Sequence, residues 1–238
     1  MTAFLWGLYD QNVAINQIVS PGYTLCWAAK FLGERKIHFD SVQESTSKSM
    51  IKHMHKLLTE AHVTITYNGL KYDLPLLNQE FALHGMTPPA PSQHIDLLRT
   101  MRRQFRFPSN KLDYVCQVFG LGGKLEHKGM GLWKECMEGN PSSWRKMKAY
   151  NIQDVRLLEK LYHRLLPWIK GHPNIALYLD PDRPVCHNCG SARMHSRGYA
   201  YTRSGRYRQY QCQEKGCGTW MRVRTKEKDR IKTLTQVA

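Results

Sequence analysis

The sequence predicts an α/β domain, a mixed sheet flanked by helices, followed by a second domain too small to fold on its own core. Three observations carry this. Strand-like runs come early and helical periodicity comes late, with at least one strand-helix-strand passage between them. Four of the seven cysteines stand in two close pairs near the C-terminus. Positive charge gathers there as well: from Arg183 onward, 13 lysines and arginines face 3 acids, within a chain of formal net charge +16.

Residues 4–9 and 23–31 read as extended, rich in aromatic and apolar side chains, with Pro21 and Gly22 turning the chain between them. Residues 36–39 form a third short strand after a turn at Gly33. Residues 49–61 have helical spacing, with Met50, Met54, Leu57 and Leu58 on one side. A β-rich run over 63–67 precedes a helix over 74–84. Gly85 and the prolines of 88–91 break the chain before a strand over 94–98. Helices follow over 110–119, capped by Gly120, and over 132–137. Two more are predicted across 141–168, starting from a Pro-Ser-Ser signal. Three prolines and little periodicity mark 172–184 as a linker.

A hydrophobic share of 42% supports a buried core, so wholesale disorder is excluded. No apolar run reaches the ~20 residues of a membrane helix, and no signal peptide opens the chain, so a cytoplasmic protein with no membrane partner is expected. The basic balance suits a polyanion, most simply nucleic acid, because neutralised phosphates release counterions.

Cys186 and Cys189 are followed, after 22 residues, by Cys212 and Cys217. Two short loops of this kind each offer two thiolates to a tetrahedral Zn2+, and the unpaired total of seven cysteines argues against disulfides. A ribbon of about 40 residues buries too little apolar surface to fold alone, so metal binding would supply much of its folding free energy. The zinc ribbon is expected over 185–226, with a basic tail over 227–238. Ser204 and Gly205 look like the turn of a hairpin that interleaves arginines, among them Arg203, Arg206 and Arg208, with tyrosines. Charge for phosphates and flat rings for bases make these three arginines candidate nucleic-acid contacts. Cys26, Cys116 and Cys136 read as ordinary buried residues.

Two further segments carry chemistry. Asn68-Gly-Leu-Lys-Tyr72-Asp73 lies where a strand ends and a helix begins, a place that presents a carboxylate to a cleft. Tyr150-Asn-Ile-Gln-Asp154 sits on a helix, where a spacing of four puts Tyr150 and Asp154 on one face. Together, in this order, they resemble the second and third motifs of DEDDy 3′-5′ exonucleases, of the DnaQ-like, ribonuclease-H-like fold. The stretches around Ile95-Asp96-Leu97-Leu98, Asn110-Lys111-Leu-Asp113 and Leu121-Gly-Gly-Lys124 resemble the exonuclease domain of family B DNA polymerases. The likeness spans about residues 4–168, within an expected domain of 1–171, and is nearest to small phage and bacterial members without a polymerase domain.

The resemblance implies 3′-5′ hydrolysis of phosphodiester bonds with two Mg2+ or Mn2+ ions. Asp73 and Asp154 would bind metal, and Tyr150 would orient the attacking water. Asn68 would support the cleft, and Lys111 would touch the substrate backbone. It further implies a nucleic-acid partner, DNA before RNA, with replication or repair proteins as candidate companions in a bacterial or phage-infected cell. Asp96 and Asp113 are expected to be structural. One departure is plain: the Asp-x-Glu of the family's first motif is absent. Asp10, Glu34 and Asp40 stand in other contexts, so the first strand and two of four carboxylates are expected to be missing. A late start, gene decay and a non-catalytic nucleic-acid-binding relative all remain open readings.

Overall fold

The computed structural model describes residues 2–3, 15–20, 22–123, 129–179, 181–203 and 205–223. Along the chain run β1 (Thr2–Ala3), β2 (Ile18–Ser20), β3 (Cys26–Ala29), β4 (His38–Ser41), α1 (Ser47–Glu60), β5 (Val63–Thr66), α2 (Asp73–Leu83) and β6 (Gln93–Asp96). Then come α3 (Leu97–Gln104), α4 (Leu112–Val118), α5 (Met130–Met137), α6 (Pro141–Leu165), α7 (Ala176–Leu179), β7 (Met194–Thr202), β8 (Gly205–Cys212) and β9 (Trp220–Arg222). The mixed α/β reading holds. Instead of one continuous mixed sheet, however, the described strands pair as β1-β2, β3-β4, β5-β6 and β7-β8-β9. The strand expected over 4–9, Asp10, Lys124, Ser204 and the tail over 227–238 lie outside the described residues.

The chain divides into two compact units. The first comprises Met1–His94 and Gly122–Leu157. Here β3 and β4 form an antiparallel ladder that sets Cys26 opposite Ser41 and Trp27 opposite Asp40. Thr46 caps α1 by accepting from the Ser49 N–H at 3.2 Å. The helix then buries Met50, Ile51 and Met54 against Trp27 and Phe81. The Trp27 indole donates to the Met50 carbonyl at 3.0 Å, so this core also satisfies its one polar edge. On α2, the buried Glu80 accepts from the Thr24 N–H at 2.9 Å. Gly85, at φ 70°, ends α2: its N–H reaches Ala82 O and the Met86 N–H reaches Phe81 O, the two bonds of a left-handed helix stop.

A second cluster in this unit joins Leu132 and Cys136 of α5 to Trp144 and Met147 of α6. Between these helices Gly139 stops the first with the same pair of bonds. Asn140 then caps the second by accepting from the Ser142 and Ser143 N–H groups, and Pro141 takes the first helical position. The two helices expected over 141–168 are one 25-residue helix followed by a three-residue 3-10 turn at Leu166–Trp168. No glycine or proline interrupts 142–166, so nothing breaks the ladder before Pro167.

The second unit comprises Ile95–Leu121 and Leu158–Ala238. The strand expected over 94–98 stops at Asp96, whose carboxylate accepts from the Leu98 N–H at 3.0 Å and starts α3. Leu97, Leu98 and Met101 of this helix are buried, as are Val115 and Cys116 of α4 and Leu161 and Leu165 of α6. Gly120 does end α4, with φ 67°.

Residues 172–184, expected as a linker, carry α7 and several anchoring bonds. His172 is buried. Its Nδ1 faces the Pro173 carbonyl at 2.7 Å and its Nε2 the Tyr162 hydroxyl at 2.9 Å. That network assigns the proton to Nδ1 and makes Tyr162 the donor. Burial lowers the His172 pKa and pushes Tyr162 up to about 12, so both groups stay neutral at pH 7.

Candidate functional site

In the first unit, β5 ends in a tight turn. Asn68 has φ 70°, the single positive value among described non-glycine residues, a conformation asparagine tolerates better than most. Its carbonyl accepts from the Lys71 and Tyr72 N–H groups at 3.2 and 3.1 Å, while Gly69 O accepts from Leu74 N–H at 2.9 Å. These bonds place Asp73 as the first residue of α2, exposed, where the helix dipole favours a carboxylate. Gly69 is buried, and a Cβ there would lie 2.5–2.7 Å from the Thr66 side chain. Gly69→Ala should therefore destabilise the turn by about 1–3 kcal/mol, read as a lowered Tm; cutting Thr66 to alanine would not relieve it, because the nearest atom is the Thr66 Cβ.

The helical pair lies in the same unit. Tyr150 is half-buried against Leu132, Cys136, Trp144 and Met147, its ring 6.2 Å from that of Trp133. Asp154, one turn on, is half-buried with its Oδ1 shielded from solvent. Neighbouring side chains hold this helix: Asn151 donates to Met147 O at 2.9 Å and Gln153 to Gly123 O at 3.2 Å. Asp73 and Asp154 are hard oxygen donors of the kind magnesium and manganese take. Yet neither joins a group of three or more close ligands; among the described residues only the four cysteines form one. The donors described thus fall short of a two-ion centre.

Other acids have structural partners. Asp40, buried on β4, accepts from the Ser41 N–H at 2.8 Å, from the Ser45 hydroxyl at 2.6 Å and from His53 at 2.6 Å. Burial alone would raise its pKa; the bonds from Ser45 and His53 outweigh that and hold the carboxyl below its ordinary value. Asp96 caps α3, and Asp113 accepts from Gln117 at 2.9 Å. Lys111 is exposed at the start of α4, in the second unit. Cys116 and Cys136 are buried, and burial beside Cys136 pushes the Cys26 thiol up to about 12.

The second unit brings Cys186, Cys189, Cys212 and Cys217 together, their sulfurs all within 4.8 Å of one another. The Cys186–Cys217 and Cys189–Cys212 sulfurs are each 3.7 Å apart. A disulfide would need ~2.05 Å, whereas a tetrahedron with metal-sulfur bonds of about 2.3 Å has edges of about 3.8 Å. Gly190, Gly216 and Gly218, all at positive φ, release the chain around the two loops. The first loop is anchored by Asn188 to Leu166 O at 2.9 Å and by His187 to His172 O at 2.6 Å. Hydrogen bonding to Cys186 draws the Cys217 pKa down to about 4 and pushes that of Cys186 up, while burial raises Cys189 to about 12. Four sulfurs this close cannot all ionise without a cation. The cluster is compatible with zinc.

From this cluster runs the β7-β8 hairpin, bulged at Gly198. Its register sets Tyr199 opposite Arg208 and Tyr201 opposite Arg206, so these four share one face. Both guanidiniums lie over the Tyr199 ring, at 4.5 and 4.6 Å from its centroid, and Arg222 covers Tyr207 at 4.0 Å. Tyr201 is 75% exposed and Arg203 occupies the turn. The open ring on this face is therefore Tyr201; Tyr199 is already stacked.

No helix among the described residues is long and apolar enough to cross a membrane. No curated protein matches the sequence. A family model described as the RNase H superfamily matches residues 25–166, more than half of the chain. That range includes the Asn68 turn and the Tyr150–Asp154 pair and leaves out the cysteine cluster. Members of this superfamily are commonly nucleases, and a domain of this type implies a nucleic-acid substrate. With the match covering more than half of its length, the chain belongs to the RNase H superfamily.

Proposed function

We propose that this chain is a 3′-5′ exonuclease of the DEDDy type, with a zinc ribbon that grips nucleic acid. One observation carries the reading: Asp154, with an oxygen turned out of solvent, stands one helical turn beyond a half-buried Tyr150. Asp73, at the end of the Asn68 turn, is its partner acid. Divalent magnesium or manganese would supply activation of water and stabilisation of the departing 3′ oxygen. The chain's own part is to hold the 3′ end and to orient the water through the Tyr150 hydroxyl. With two carboxylates the reaction should be slow and favour manganese. Incubating the protein with a 3′-labelled oligonucleotide and manganese tests it; labelled mononucleotide must appear.

A second reading, a nucleic-acid-binding module without chemistry, is favoured by the lack of a third ligand beside Asp73 and Asp154 among the described residues. Absence of cleavage together with retained binding would select it. In either case Arg203, Arg206 and Arg208 contact the strand. Replacing all three with glutamine should weaken binding and lower the slope of log affinity against log salt by about 2 for a single strand. An unchanged slope would remove the hairpin from the interface.

A further inference from the structure

The second unit contains a cavity of about 550 Å³ whose walls come mostly from residues that no motif uses. Phe105, Phe119 and Trp168 supply three aromatic walls, Arg164 joins the lining, and the backbone of Gly216 and Gly218 borders it from the second cysteine loop. The Phe105 and Trp168 ring centroids lie 5.3 Å apart, and those of Phe105 and Phe119 6.1 Å apart. Phe107 stacks on Phe105 at 5.7 Å, and the Arg164 guanidinium sits 5.7 Å from the Phe119 ring. The walls are thus fixed against one another before any ligand arrives.

Simple core packing does not account for this arrangement. Trp168 is 50% exposed, held by the short Leu166–Trp168 turn that contains Pro167, and Phe105 and Phe119 are only half-buried. Core aromatics close such a space; these leave it open, at a volume within the ~300–1,000 Å³ of small-ligand sites. Apart from its chain neighbours, neither glycine has an atom within 4 Å of where a Cβ would stand, so no side chain from elsewhere crowds them. Arg164 brings charge for an anion. Glu214, the one acid in the lining, is engaged by Ser191 at 2.9 Å and Arg193 at 3.7 Å, which offsets its repulsion of phosphate. In a chain of net charge +16, aromatic faces beside an arginine suit a base and its phosphate better than an apolar peptide.

We propose that this cavity binds an unpaired nucleobase of a single-stranded nucleic acid, stacked against Trp168 and Phe105, with the adjoining phosphate at Arg164. This rests on the nucleic-acid partner proposed above and adds a second contact to the hairpin, whose one open ring is that of Tyr201.

The test uses the full chain loaded with zinc and two strands of equal length and charge, one bearing bases and one abasic. The native protein should prefer the base-bearing strand by roughly 5- to 150-fold, the worth of one stacked base. Trp168→Ala should lose most of that preference while binding the abasic strand as before, and Trp168→Phe should keep it. Should the alanine variant fail to fold, Trp168→Leu, apolar but without a flat ring, reads the same loss. Equal native affinity for the two strands, or a preference that removal of the ring leaves unchanged, overturns the pocket. Binding of neither strand overturns the nucleic-acid reading and the pocket together, so the two failures are distinct.

Discussion

Cys212→Ser should abolish stoichiometric zinc binding and unfold the ribbon, the largest effect expected for any single substitution in this chain. Structural zinc contributes about 10–16 kcal/mol to folding in small zinc domains, far more than their side-chain cores supply. Here the buried apolar cluster of the ribbon consists of three of the ligands themselves, with Cys189 and Met221 against it. Remove one thiolate and the remaining sulfurs are left close together with an incomplete ion site. Two measurements check this: metal content per chain, and protease cleavage within 185–223, which the variant and a chelated native protein should share. One zinc retained per chain, with unchanged protease resistance, would falsify the assignment.

Asp154→Ala should reduce manganese-dependent release of mononucleotide on the order of 100-fold or more, since a metal-binding carboxylate supports several kcal/mol of transition-state charge stabilisation. Affinity for the oligonucleotide should change little, because the hairpin arginines lie far along the sequence and carry the salt-dependent part. Tyr150→Phe is the informative companion. It keeps the ring that packs on Trp133 and Met147 and removes only the hydroxyl. If that hydroxyl orients water, turnover falls with binding intact. Should cleavage persist in Asp154→Ala, the helical pair is not the site, whatever the fold.

Local signals made much of this protein legible. The Pro-Ser-Ser helix start at Pro141, the glycine stop at Gly120 and the amphipathic spacing of α1 all act within a few residues, and the structure keeps each of them. Where the sequence misled, a local signal had been weighed wrongly. Leu97 and Leu98 suit a strand, but Asp96 before them is a helix cap, and Met101 with Arg102 and Arg103 continues a helical pattern. Within 172–184, expected as a linker, His172 O accepts from His187 Nε2 at 2.6 Å and Ile175 N–H donates to His187 O at 2.8 Å, contacts that the three prolines do not announce.

By itself the sequence determined the thiol quartet, the helical pairing of Tyr150 with Asp154 and the excess of positive charge, since spacing and composition act along the chain. Only the tertiary structure decided which groups remain open to a ligand. It stacks two arginines on Tyr199 and leaves Tyr201 bare, engages Asp40 with Ser45 and His53, and gathers Phe105, Phe119, Trp168 and Gly216 around one cavity. Around that cavity, Phe105 and Gly216 lie more than a hundred positions apart. No period or spacing links them, because their meeting depends on how distant segments of the chain pack.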